Sequence, residues 1–298
     1  MLENVRTFID FVKSAVPIEM KSYYWAAIST YSSPALWLFV VFVIVLERLW
    51  PADPDQPIFS GGLWQDFIWF NLDIAVNVAL IPAIATLLRA GLDLVTGGHN
   101  LAVGADWPTA SKVIASALAV DLLFYIKHRF MHRVPGLWHF HAIHHSQREM
   151  NILTDRRQHL VEQLLIQIMV LIPLIGLGMK PFPVMAVGTS LLGHSLFIHS
   201  NVRTNFGKLG AIFVSPQYHR IHHSMEPRHF DRNFGAYVTL WDRMFGTHYR
   251  ASPDEYPRTG VAEVEFRTPR LLAPREWITA TGQQLWYPFA RLMRWRQR

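Results

Sequence analysis

Two stretches of the chain carry the same word, His141-Ala-Ile-His144-His145-Ser146 and His219-Arg-Ile-His222-His223-Ser224. A related pair, His128-Arg-Phe-Met-His132, precedes them. On a helix, positions i, i+3 and i+4 share one face, so each word gathers its imidazoles on one side of its element. Imidazole binds zinc, copper, iron and nickel, and ligand type alone does not name the metal. These eight side chains exceed what one four- or six-coordinate ion uses, which points to two metals. Eight surface histidines falling at matching spacings by accident is the weaker explanation. There is no His-Glu-x-x-His, so the general base of the zinc proteases that carry that word is missing. Cysteine is absent, which excludes disulfides, thiolate nucleophiles, zinc ribbons and Cys-ligated iron–sulfur clusters.

The elements that must position these histidines are apolar. Hydrophobic residues make up 51% of the chain and charged ones 17%, against about 25% charged in ordinary soluble domains. Five apolar runs approach the roughly 20 residues that a spanning helix needs. They are Pro34–Leu46, Phe67–Leu88 (with Asn71, Asp73 and Asn77 inside it), Val113–Ile126 (with Asp121), Leu160–Leu177 and Val184–Ile198. The short spacer Gly178-Met179-Lys180-Pro181-Phe182-Pro183 predicts that the last two form an antiparallel hairpin. If that hairpin spans a bilayer, the segments before Leu160 and after Ile198 emerge on one side. Residues 127–159 and 200–298 hold 21 of the 28 Lys and Arg residues, so the positive-inside rule makes that side cytoplasmic. The expected fold is all-α: an integral membrane protein of four to five spans with a cytoplasmic helical cap carrying the histidine words. Residues 1–109 form the N-terminal membrane region, and Met1–Lys13 lacks the uninterrupted apolar core of a cleavable signal. Residues 251–298 form a basic tail. Its end, Leu285–Arg298, mixes aromatics with four arginines, as an interfacial helix would. No basic run interleaved with stacking aromatics is present, so a nucleic-acid partner is not expected.

The pattern of His-x3-His followed by two copies of His-x2-His-His resembles the fatty acid hydroxylase and sterol desaturase superfamily, and the likeness extends past the histidines. Asp121 and Tyr125 precede His128-Arg129, Leu137-Trp138 leads into the second word, and Met150-Asn151 follows it. Thr154-x-x-Arg157-x-His159, His199-Ser200-Asn201, Ser215-Pro216, Asn233-Phe234-Gly235 and Trp241-Asp242-Arg243-Met244-Phe245-Gly246-Thr247 complete it. The resemblance covers roughly residues 110–250, which it marks as the catalytic domain.

It implies a non-haem diiron oxidoreductase. The iron ligands would be His128, His132, His141, His144, His145, His199, His219, His222 and His223. His159 and His194 remain open, while His99, His139, His229 and His248 receive no metal role. The accompanying catalytic candidates are Asp121, Arg157 and Asn201. Asp121 lies two turns before His128 on the same face and is expected to orient a ligand imidazole through its other ring nitrogen. The implied chemistry is O2-dependent hydroxylation or desaturation of a lipid-like substrate, such as a fatty acyl chain or sterol, reached from the bilayer. No Gly-x-Gly-x-x-Gly follows a strand pattern. The two electrons per turnover must therefore come from a separate reductase, ferredoxin or cytochrome. Two other classes stay open: a non-enzymatic membrane metal transporter or store, and a di-zinc membrane hydrolase. Transporters hold ligands near the bilayer midplane, whereas these words sit at span ends.

Overall fold

A computed structural model of the protein describes residues 28–57, 59–96, 106–176, 191–262, 264, 266, 269–270 and 273–295. Among them the fold is all-helical. Isolated bridges such as Phe213–Val238 and Ser224–Thr259 occur, but no β-strand does. The spacer Gly178–Pro183, the segment Met1–Lys13 and His99 lie outside the described residues.

Helix α1 (Pro34–Leu49) opens on a proline, whose missing N–H and fixed φ suit a first turn. It stops before Pro51, which disfavours helix in the residue ahead of it. Its buried stripe is Leu36, Val40, Val43 and Glu47. The apolar members pack with Phe70, Ile152, Leu153, Leu192, Leu196 and Val202 into the main core. The opposite face exposes Leu38, Val41, Phe42 and Val45, a helix with no polar side to offer water. Glu47 closes the stripe by accepting from the backbone N–H of Ile152 at 2.8 Å and of Asn201 at 3.0 Å. One carboxylate thereby ties the end of α1 to two loops that flank the histidines.

Helix α2 (Gly61–Thr96) contains the second apolar run, and α3 (Thr109–Arg133) the third. Among the described residues, α3 is the one helix long and apolar enough to cross a membrane. Val134 is extended ahead of Pro135, so α3 ends abruptly and α4 (Pro135–His145) begins at once in a new direction. Helix α5 (Leu160–Gly176) packs on α2 and α3. The helical residues 191–198 (α6) are the described part of the fifth run. Helix α7 (Pro216–His222) is capped by Ser215, whose Oγ accepts from the Tyr218 N–H at 3.2 Å. The short α8 (Leu240–Met244) lies against α3 through Asp121, described below.

Within the basic tail of residues 251–298, the helix expected from Leu285 begins earlier. Helix α9 runs Pro274–Trp295 and is docked on α2 and α4. Gln65 donates to Thr281 and Trp69 to Gln284, both at 2.7 Å, while the Trp64 and Trp277 rings stack at 5.8 Å. Its outward face still exposes Ile278, Trp286, Phe289 and Met293.

Candidate metal centre

The histidines converge from four places in the chain: the last turns of α3, the length of α4, the turn after α6, and α7. They form two adjoining groups. His128, His132, His141, His145 and His222 make the first; His144, His199, His219 and His223 make the second. Within each group the candidate ligand nitrogens all lie within 4.8 Å of one another. In the first, His145 Nε2 stands 3.1 Å from the Nε2 atoms of His132, His141 and His222. In the second, Nε2 separations are 3.1 Å (His199–His144), 2.8 Å (His219–His199) and 3.1 Å (His223–His219). The His145 and His223 rings stack at 4.2 Å where the groups meet.

The protonation inventory tests whether a metal fits. A neutral imidazole has one N–H. Four rings use it on the outer nitrogen: His128 Nδ1 donates to the Phe234 carbonyl (2.9 Å), His222 to Arg232 (2.7 Å), His199 to Ser195 (2.7 Å) and His141 to Glu162 (2.9 Å). Their Nε2 atoms are therefore lone pairs aimed inward, and His128 Nε2 is buried with no hydrogen-bond partner. For His144, His219 and His223 the Nδ1 atoms are buried without partners instead. Protonating Nδ1 strands a donor, and protonating Nε2 crowds N–H groups onto one another. Protonating the rings does not relieve this. Burial, aided by the neighbouring imidazoles, holds His144, His145, His219 and His223 well below the ordinary histidine range. Burial also brings His222 down to about 3, against the opposing hydrogen bond to Arg232. Converging neutral lone pairs at this spacing suit a divalent cation in each group, so the residues present fit two metals.

The shared-face expectation for each His-x-x-His-His word needs refinement. His141 and His145 serve the first group and His144 the second. In the later word the roles reverse, with His219 and His223 in the second group and His222 in the first. At about 100° per residue, i and i+4 lie 40° apart while i+3 sits some 60° to the other side. Each word therefore presents a pair to one centre and a single ring to the next.

The three expected catalytic candidates stand elsewhere. Asp121 contacts no imidazole. It accepts from the N–H groups of Tyr237 (3.0 Å) and Val238 (3.2 Å) and from Trp241 Nε1 (2.9 Å), pinning the approach to α8 onto α3. The expectation failed because the same face of α3 also meets this later segment, whose backbone donors take the carboxylate first. Arg157 pairs with Asp66 at 2.5 Å. Asp66 also receives Gln147, Asn151 and Thr154, so the hub fixes the loop after α4. Asn201 bridges the Asp53 backbone and Arg220. Among the described residues all three candidates bond to other groups, and none bonds an imidazole. His159 bonds the Val161 N–H and the Leu285 carbonyl, tying α5 to α9, and His194 packs against Tyr237; both lie outside the two groups. His139, His229 and His248 also lie outside them.

The carboxylates that touch histidines went unnoticed in the sequence. Glu162, fully buried near the start of α5, accepts from His141 Nδ1 and from Lys127 Nζ at 2.7 Å. Asp155 lies 3.3 Å from His199 Nδ1 and accepts from Ser195 Oγ at 2.6 Å. Each group thus has one buried carboxylate behind it, the arrangement that fixes ring orientation at metal sites. The available signal was a charged residue at the mouth of an otherwise apolar run, Leu160-Val-Glu162-Gln. Among the described residues, cavities reach the cluster from two sides. A small one of about 40 Å³ is lined from both groups, by His128, His141, His144, His199 and His219 with Phe124 and Tyr237. A larger one of about 310 Å³ opens on His132, His145 and His222 beneath Trp138, Met225 and Phe230.

Residues 113–247, which hold both histidine groups and the segment that Asp121 pins, match the fatty acid hydroxylase family. This segment is a fatty acid hydroxylase domain, of the fatty acid hydroxylase and sterol desaturase superfamily. The chain is 28% identical to an ornithine lipid hydroxylase of Rhizobium tropici over 72% of its own length and 67% of that protein's. It is 35% identical to an alkylglycerol monooxygenase of Danio rerio, over 47% of this chain and 31% of that one. Identity to the human cholesterol 25-hydroxylase is 30%, over 47% of this chain and 52% of that enzyme. The chain thus spans about a third of the alkylglycerol monooxygenase's length. No solved structure matches it.

Proposed function

We propose that the protein is a membrane-bound, non-haem diiron monooxygenase that hydroxylates a C–H bond of a lipid substrate. The observation that carries this is the pair of adjoining groups of imidazoles whose inward Nε2 atoms face one another and, at His128, have no hydrogen-bond partner. The superfamily membership of residues 113–247 points the same way, and the relatives are named hydroxylases and monooxygenases, which favours hydroxylation over desaturation. When bound, two irons held by His128, His132, His141, His145 and His222, and by His144, His199, His219 and His223, would supply reductive activation of O2. The overall balance is R–H + O2 + 2 electrons + 2 protons giving R–OH and water. The electrons come from a separate reductase, ferredoxin or cytochrome.

The chain's own residues supply position and exclusion of water. Glu162 and Asp155, with the carbonyls of Phe234, Arg232 and Ser195, fix the rings of His141, His199, His128 and His222. Trp138, Met225 and Phe230 wall the larger cavity with apolar surface, suited to an alkyl chain or sterol body. In this reading residues 1–109 form the first membrane region, 110–250 the catalytic domain and 251–298 the basic tail. Four to five spans carry the histidines to the cytoplasmic face, where a lipid enters laterally.

The test is metal content of protein purified in mild detergent, with O2 uptake under added reductant and product analysis on an acyl lipid, an alkylglycerol and a sterol. The expected result is two irons per chain and an oxygenated product from one class. Two zincs without O2 uptake, from iron-replete cells, would favour a hydrolase or a metal store and overturn the proposal.

A further inference from the structure

The face of α3 turned away from the histidines carries a second feature. Ile126, Arg129, Phe130 and Arg133 fall at i, i+3, i+4 and i+7, one stripe along the last two turns. With Tyr125 and Phe245 they line an open cleft of about 370 Å³. Phe130 and Phe245 are large and exposed, at 57% and 47%. Arg129 is half-buried beside them. Among the described residues its one hydrogen bond is a long one, 3.4 Å from Nη1 to Tyr125 Oη. A guanidinium has five donors, so most of its hydrogen-bonding capacity is unspent. Among the described residues Arg133, one turn on, pairs with Asp231 alone at 3.5 Å, with both side chains substantially exposed, a weak pairing. Two under-satisfied guanidinium groups above an apolar floor, at the end of the helix suited to crossing a membrane, make a complementary surface for one kind of molecule.

We propose that this cleft binds an anionic phospholipid of the surrounding bilayer, its headgroup on Arg129 and Arg133 and one acyl chain along Ile126, Phe130 and Phe245. Guanidinium groups bind phosphate oxygens through paired, charge-assisted hydrogen bonds. The cytoplasmic leaflet is the one rich in anionic lipid. The inference rests on the membrane placement of α3 proposed above, and on neither the metals nor the reaction.

The experiment is native mass spectrometry of the full chain, purified in detergent and exchanged with an equimolar mixture of phosphatidylglycerol and phosphatidylcholine. Wild-type protein is expected to retain phosphatidylglycerol over phosphatidylcholine by about tenfold, one charge-assisted contact's worth. The Arg129→Gln/Arg133→Gln variant should lose that preference. Ile126→Trp, which keeps both arginines and fills the cleft, should lose the retained lipid altogether. Equal retention of the two lipids by wild type, or unchanged preference in the double variant, overturns the proposal. Displacement of the lipid by millimolar inorganic phosphate would mark a free-anion site and overturn it too. Metal content and O2 uptake play no part in the readout, so failure of the diiron reading leaves this result standing, and the reverse.

Discussion

Replacing Glu162 by glutamine tests whether the buried carboxylate works on the metal or only on the fold. Glu162 has no exposed surface and serves two donors, Lys127 Nζ at 2.7 Å and His141 Nδ1 at 2.9 Å. Glutamine keeps the volume and one acceptor oxygen, so His141 retains a hydrogen bond, though to an uncharged partner. Losing the charge behind a ligating imidazole should weaken metal binding in the first group by roughly 10-fold, the low end for such partners. The second group, backed by Asp155, should be unaffected. The same change strands the Lys127 ammonium, and breaking a buried ion pair costs about 3–5 kcal/mol. Two losses of different origin are thus superimposed, and adding Lys127→Met separates them. In the Glu162→Gln/Lys127→Met chain, thermal stability in detergent should recover most of the 3–5 kcal/mol, whereas the weakened affinity, read by chelator competition, should persist. Wild-type affinity in Glu162→Gln would refute a role behind His141. Affinity that recovers together with stability would reduce Glu162 to a structural partner of Lys127.

Three further outcomes follow from the same geometry. His222→Ala and His144→Ala each delete one donor from a different group, so each single variant should lose about one metal of two, and the double variant both; elemental analysis per chain checks this. Burial depresses the folded-state pKa of His144, His145, His199, His219, His222 and His223. Below an unfolded-state value of about 6.5, only the unfolded chain takes up protons. The metal-free protein should therefore lose about 1.4 kcal/mol per histidine per pH unit as pH falls through that point, and an unfolding midpoint flat from pH 7 to 5 would contradict it. Asp121→Ala leaves the Tyr237 and Val238 N–H groups and Trp241 Nε1 without their acceptor. It should cost roughly 3 kcal/mol of stability, while the metal affinity of correctly folded protein stays at the wild-type level.

What the sequence determined by itself was local. The spacing within each histidine word is a property of one helix turn, so the donor residues and the excess over one metal were legible before any fold was known. Apolar runs likewise gave α1, the centre of α2, α3 and α5, because helix length and burial are written in consecutive residues. What needed the tertiary structure was every relation between distant segments. The division of each word between two centres depends on how α4 faces α7, two helices separated by some seventy residues of chain. Asp121 and Glu162 are both acidic residues inside apolar helices, and Asp121 is the one nearer in the chain to a histidine of the repeated pattern, seven residues before His128. Packing gave Asp121 to the backbone donors around Tyr237 and gave Glu162 to His141, because a buried carboxylate goes to whichever donors the fold brings within hydrogen-bonding distance.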